Sequence, residues 1–276
     1  MDISQLGSTA ITRLRALMKK LRDPETGCPW DLKQSFETIA PYTIEEAYEV
    51  AEAIERKNMP ELREELGDLL FQVIFYAQLA EEQRLFTFDE ICDGLTEKMV
   101  KRHPHVFGET ANSNLEHGAS PQPQKWEEIK KQEREKKAKD NNQTFSLLDD
   151  VPLALPALTR AEKLQKRAAR VGFDWPDLTG VTDKISEEAK ELAEASSDMD
   201  ADAIEDEMGD LLFAVTNLAR KLNVDPEKAL RRTNSKFCKR FSYIENIARQ
   251  DEASLEDMSL DEMENLWQQA KAKLNN

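Results

Sequence analysis

The chain has 276 residues, of which 38 are basic and 54 acidic, for a formal net charge of −16. That length provides for one or two domains. The acidic balance excludes nucleic acid as the main partner, because a phosphate backbone needs a basic face. Nine glycines and 7% aromatic residues are too few for an all-β sandwich or barrel, which needs glycine turns and aromatic strands.

The start shows no positively charged stretch followed by an apolar one. The most apolar run, Leu69 to Ala80, is interrupted by Gln72 and Gln78 and is shorter than the roughly 20 residues of a membrane span. Cys28, Cys92 and Cys238 lie far apart without a CxxC pair, which excludes a disulfide framework and a zinc site. The expectation is a cytoplasmic chain with no membrane partner.

In chain order, Thr43 can cap a first helix that places Ile44, Ala47, Tyr48, Ala51 and Ile54 on one side, at helical spacing. Asn58-Met59-Pro60 breaks it. Pro60 then opens a second helix through Leu62, Leu66, Leu69, Leu70, Val73, Ile74 and Ala77. Its middle, LLFQVIF, is apolar nearly all round and predicts a buried helix. A further helix is expected near 88–102, ending in KRHPHVFG, where His103 and His105 take a helix-end role. Residues 108–124 have linker chemistry, and 125–139 read as a charged helix anchored only by Trp126 and Ile129. Asp149-Asp150-Val151-Pro152 predicts a helix start. Helices are then expected from about 182, from about 203 to 222, and over 226–249.

The chain repeats itself. IEEAYEVAEA (44–53) and SEEAKELAEA (186–195) share seven of ten positions, as do EELGDLLFQV (64–73) and DEMGDLLFAV (206–215). Both pairs are offset by 142 positions, so the halves are duplicates. The expected organisation is all-α: two tandem helical-hairpin domains at 1–118 and 145–276, joined by a polar linker and charged helix at 119–144.

Each half carries a carboxylate constellation. The first half has Glu45, Glu46 and Glu49, followed by Glu65 and Asp68; the second has Glu187, Glu188 and Glu191, followed by Glu207 and Asp210. Spacings of three and four place the members on one helix face. In an antiparallel hairpin the two sets lie about 4.5 Å out of register, close enough to converge. Asp68 and Asp210 sit in GDLLF on the most apolar helix of each half, where a buried carboxylate needs a cation or a hydrogen-bond donor. Gly67 and Gly209 precede them, and a mid-helix glycine suggests a close approach to the backbone. Four oxygen ligands with no nearby histidine suit Mg²⁺, with Mn²⁺ as a substitute. A di-iron bundle would want Glu-x-x-His, and His103, His105 and His117 do not fit that pattern.

EExxE followed by ExxD resembles the all-α nucleoside triphosphate pyrophosphohydrolases. With GCPWD (27–31), TIAPYTIEEAYEV (38–50), ELGDLLFQVIFYAQ (65–78), KRHPHVFG (101–108), VGFDW (171–175) and EMGDLLFAVTNLAR (207–220), the chain is similar to the MazG family over nearly its whole length. The resemblance implies Mg²⁺-dependent hydrolysis of a nucleoside triphosphate to monophosphate and pyrophosphate. It also implies a homodimer, forming a four-helix-bundle-like core, and a housekeeping or stress-related role in the nucleotide pool.

The second half is the better equipped. Lys184 stands one helical turn before the carboxylates, where the first half has Tyr42. RRTNSKFCKR (231–240) supplies Lys236, Lys239 and Arg240, which Lys98, Lys101 and Arg102 resemble in the first half. Trp267, in the C-terminal extension, can stack on a base. The resemblance carries over Lys184, Glu188, Glu191, Glu207, Asp210, Lys236, Arg240 and Trp267 as site residues. The expected metal ligands are Glu188, Glu191, Glu207 and Asp210, with Glu46, Glu49, Glu65 and Asp68 as a weaker second set. Glu187 is expected to act on the attacking water. Lys184, Glu187, Glu188, Lys236, Lys239, Arg240 and Trp267 are expected to contact nucleotide. The first half would be a degenerate or regulatory copy. The rival reading is a non-catalytic helical regulator that binds nucleotides or a protein.

Overall fold

The computed structural model describes residues 8–107, 123–140, 142 and 144–274, and the described residues are helical with no strand. The chain divides into two compact units, 1–130 and 131–276. His117 and most of the expected linker lie outside the described residues. No described helix is long and apolar enough to cross a membrane.

The first unit contains α1 (Ala10–Leu21), α2 (Pro29–Leu32), α3 (Phe36–Arg56), α4 (Met59–Glu82), α5 (Phe88–Arg102) and the short α6 (Pro104–Phe107). Helix α3 begins earlier than the expected cap at Thr43. Ser35 is the cap, in a reciprocal capping box with Thr38, which satisfies two backbone donors at once. Pro41 is tolerated inside this helix, and Thr43 instead bonds the Ile39 carbonyl and the Tyr76 hydroxyl. Lys57 then turns left-handed (φ 57°) and Asn58 caps α4, producing the antiparallel hairpin α3–α4. Helices α1 and α5 flank α4, over a core of Met18, Ile39, Ile74, Phe75 and Leu79. His103 caps α5; the side chain of His105 lies outside the described residues.

Helix α7 (Pro123–Asp140) matches the expected charged helix; the side chains of Trp126 and Ile129 are not among those described. The second unit contains α8 (Ala157–Ala169), α9 (Thr179–Asp198), α10 (Ala201–Lys221), α11 (Pro226–Gln250) and α12 (Leu260–Leu274). The hairpin turn repeats: Met199 is left-handed at φ 53° and Asp200 caps α10 through the amides of Asp202 and Ala203. These are the positions of Lys57 and Asn58 shifted by 142. Residues 149–152 do not start a helix. Asp150 is left-handed (φ 60°) in a turn whose carbonyls at Leu147, Asp149 and Asp150 accept from Arg167. Helix α8 therefore begins only at Ala157.

The middle of α4 is not buried on all sides. Ile74 and Phe75 are inside, but Leu66, Leu70 and Val73 remain exposed, as do Met208, Leu212, Phe213 and Val215 on α10. A hairpin with one or two flanking helices covers only part of each helix, so periodicity alone overstated the burial.

Candidate metal and nucleotide site

The turn geometry fixes the register of each hairpin, and the register brings the carboxylates together. In the second half, ligand oxygens of Glu188, Glu207 and Asp210 all lie within 4.8 Å of one another. In the first half, Glu46, Glu49 and Glu65 do the same. Ligand oxygens on opposite sides of an octahedral Mg²⁺ are about 4.2 Å apart. Both clusters are thus near the size of an ion, and both are all-oxygen, the donor set that hard divalent cations take.

The electrostatics mark the same convergence. Loss of hydration, then the charge of Glu188, raises the Glu191 carboxyl above its ordinary value. Loss of hydration, then Glu191, Glu188 and Asp210, raises Glu207. Glu46 is raised by desolvation and by Asp68, Glu49 and Glu65, and Glu65 by desolvation, Glu49 and Asp68. The converging atoms are three in each half, and the charges of Asp68 and of Glu191 act on them from beside the cluster; Lys184 offsets part of the repulsion at Glu191, and a bound cation would remove more of it.

Asp68 and Asp210 are exposed, not buried as the apolar GDLLF context predicted; Glu188 is the buried member, at 3% exposure. A side chain added at Gly67 or Gly209 would meet no atom within 4 Å. The close approach expected there is absent within each unit.

Lys184 sits on the carboxylates. Its Nζ lies 2.6 Å from Glu188 Oε1 and 2.9 Å from Glu187 Oε1. The hydrogen bonds to Glu188 and then to Glu187 hold the ammonium above its usual range. On α11, Lys236 and Lys239 are exposed, and the Arg240 guanidinium lies 5.5 Å from the centre of the Trp267 ring. Trp267, half-buried on α12, also contacts Phe237 at 5.3 Å between centroids. This basic and aromatic group is assembled by packing of α11 on α12, so Trp267 is part of a built surface and not a lone aromatic.

Sequence reasoning missed what frames these hairpins. Arg22, 8% exposed, accepts no freedom: it bonds Glu82 on α4 and the Asp31 carbonyl, tying the GCPWD segment to the hairpin. In the second half, Asp174 pairs with Arg220 at 2.6 Å and Lys221 at 3.1 Å, which ties VGFDW to the end of α10. Trp175 lies over Gly180, where an added Cβ would come within 2.3 Å of the indole Cδ1. The short charged-and-aromatic spelling of both motifs was the available signal.

Known proteins resemble the chain in both halves. Residues 34–107 and 178–244 match the MazG nucleotide pyrophosphohydrolase domain, once in each half. A nucleoside triphosphate pyrophosphohydrolase of Escherichia coli strain K12 is 49% identical over 95% of this chain and 97% of its own length. The nucleoside triphosphate pyrophosphohydrolase/pyrophosphatase MazG of Thermotoga maritima is 44% identical over 94% of both chains. An uncharacterized protein, YabN of Bacillus subtilis, is 45% identical over 93% of this chain and 50% of its own length. The chain belongs to the MazG family of nucleotide pyrophosphohydrolases.

Proposed function

We propose that the second half hydrolyses nucleoside and deoxynucleoside triphosphates to the monophosphate and pyrophosphate, with Mg²⁺ or Mn²⁺. The observation that carries this reading is the convergence of Glu188, Glu207 and Asp210 beside Lys184. Glu188, Glu191, Glu207 and Asp210 hold the cation, which when bound neutralises phosphate charge and activates water. Lys184 passes from Glu187 and Glu188 to a phosphate oxygen. That transfer frees Glu187 Oε1, now occupied by the ammonium, to orient the attacking water and take its proton. Lys236, Lys239 and Arg240 contact phosphates, and Trp267 stacks on the base.

Residues 145–276 form the catalytic domain in this reading, and residues 1–118 a regulatory copy. The exposed apolar residues Leu66, Leu70 and Val73 on α4, and Leu212, Phe213 and Val215 on α10, support a homodimer in which hairpins pair as four-helix bundles. The activity fits a cytoplasmic nucleotide-pool role in housekeeping or stress.

The test is product analysis. The chain is incubated with each common NTP and dNTP, with and without Mg²⁺, and products are separated by anion exchange. Monophosphate plus pyrophosphate, lost on chelation and in folded Asp210→Ala, is the expected result. Diphosphate plus orthophosphate refutes the reaction. No turnover with any nucleotide favours a non-catalytic regulator.

A further inference from the structure

Helix α9 carries more than the carboxylates. Gly180, Lys184 and Glu188 follow one another at intervals of four, so they form one stripe along it. At one end Glu188 converges with Glu207 and Asp210. The Lys184 ammonium comes next, on Glu188. At Gly180 the stripe has no side chain of its own, and the Trp175 indole fills the space. A Cβ added there would strike the indole Cδ1 and lie 3.0 Å from Nε1 and 3.1 Å from Cγ. Neighbouring positions of such a stripe are about 5–6 Å apart at Cβ. The indole edge therefore lies within about 8 Å of the Lys184 Cβ.

This indole is anchored from behind. Asp174, just before it, pairs with Arg220 and Lys221 at the end of α10, and Lys221 also donates to the Trp175 carbonyl. Arg220 in turn donates to the side chain of the buried Asn217. Trp175 is nevertheless 40% exposed. The atoms nearest the helix all belong to the five-membered ring, so the six-membered ring points away from it.

The first half places a tryptophan at the same end of its own hairpin. Tyr42 corresponds to Lys184 through the offset of 142, and Trp30 meets the Tyr42 ring there with centroids 6.0 Å apart. Trp30 comes from the segment ahead of α3, as Trp175 comes from the segment ahead of α9. Two differently spelled segments, GCPWD and VGFDW, thus deliver an aromatic to the same end of the carboxylate stripe.

We propose that Trp175 determines base specificity in the second half by stacking on the base of the bound nucleotide. This rests on the hydrolytic reading of that half. Carboxylates, ammonium and indole lie in that order along α9. A nucleotide whose phosphates occupy the first two brings its nucleoside to the third. The indole offers every base a face, and a purine covers more of it than a pyrimidine does. Trp267 contributes from α12, where Arg240 and Phe237 already engage its ring. Trp175 adds a contact on the helix that holds the phosphates.

The test is calorimetric titration of the full chain in Mg²⁺ with the α,β-methylene triphosphates of the four common bases. Inorganic tripolyphosphate, which has the phosphates and no base, is titrated beside them. The chain carries Glu49→Ala throughout, which breaks the first half's cluster and leaves one site to read. Trp175→Ala should weaken the nucleotide analogues roughly tenfold, purines more than pyrimidines, and leave tripolyphosphate unchanged. Trp175→Phe keeps a ring and should recover most of the affinity. Should Trp175→Ala fail to fold, Trp175→Leu fills the slot without a ring and is read in the same way. An equal loss for tripolyphosphate and nucleotides overturns the proposal, because the indole then only shapes α9 and its lysine. Unchanged nucleotide affinity without the indole overturns it too. A chain with Trp175 intact that binds the analogues but never hydrolyses a triphosphate refutes the hydrolytic reading and leaves the test of Trp175 standing; one that binds none of them overturns both.

Discussion

Adding Mg²⁺ to the metal-free chain should stabilise it, and by more at neutral than at acid pH. Glu191 and Glu207 in one cluster, and Glu46 and Glu65 in the other, have carboxyl groups raised by desolvation first and then by their neighbours' charges. A carboxyl raised in the folded state binds its proton more tightly there than in the unfolded chain. Stability of the metal-free chain therefore falls as pH rises from the unfolded value through the raised folded ones, and stays low above them. A cation reverses that loss, since it binds the ionised and folded cluster. At a concentration 100 times its dissociation constant, one bound ion contributes about 2.7 kcal/mol. At about 2–4 °C per kcal/mol for a domain of this size, the melting temperature rises by about 5–10 °C. The assay is differential scanning calorimetry at about pH 7.5 and about pH 5, with Mg²⁺ or a chelator. Asp210→Ala should lose the gain of the second unit and keep that of the first. An equal gain in a chain carrying both Asp68→Ala and Asp210→Ala would refute the clusters as cation sites, as would no gain at pH 7.5.

Two further expectations concern the framing of the second site. Lys184→Met removes the cation that lies on Glu187 and Glu188; KM for the triphosphate should rise roughly tenfold, the worth of one charge-assisted phosphate contact, measured by steady-state kinetics, and an unchanged KM removes Lys184 from the phosphate site. Gly180→Ala brings a methyl against the Trp175 indole, an overpacking cost of about 1–3 kcal/mol in denaturant unfolding; the cost should vanish when Trp175→Ala is added, and its persistence would mean that the glycine serves another contact.

The helical hairpins and the candidate ligands were legible because both are local. Asn58-Met59-Pro60 breaks the helix where backbone chemistry says it must, and the structure places a left-handed residue and a cap there. Thr43 misled, because its hydroxyl satisfies a carbonyl and a tyrosine inside the helix while Ser35 does the capping. Asp150 misled for a related reason: Arg167, distant in sequence, captures the carbonyls of residues 149 and 150 and turns the chain. Neither competition can be read from spacing.

The sequence by itself determined the duplication, the all-α class and the identity of the carboxylates, since each is a matter of periodicity and residue type. Only the tertiary structure decided which members are buried. It placed Glu188 inside and left Asp68 and Asp210 open, because burial depends on what packs against a helix face, and the apolar residues beside an aspartate in the chain do not lie beside it in space. The same holds for Lys184 on its two carboxylates and for Arg240 over Trp267. Each is a relation between side chains on different turns or helices, and exists only once the chain has folded.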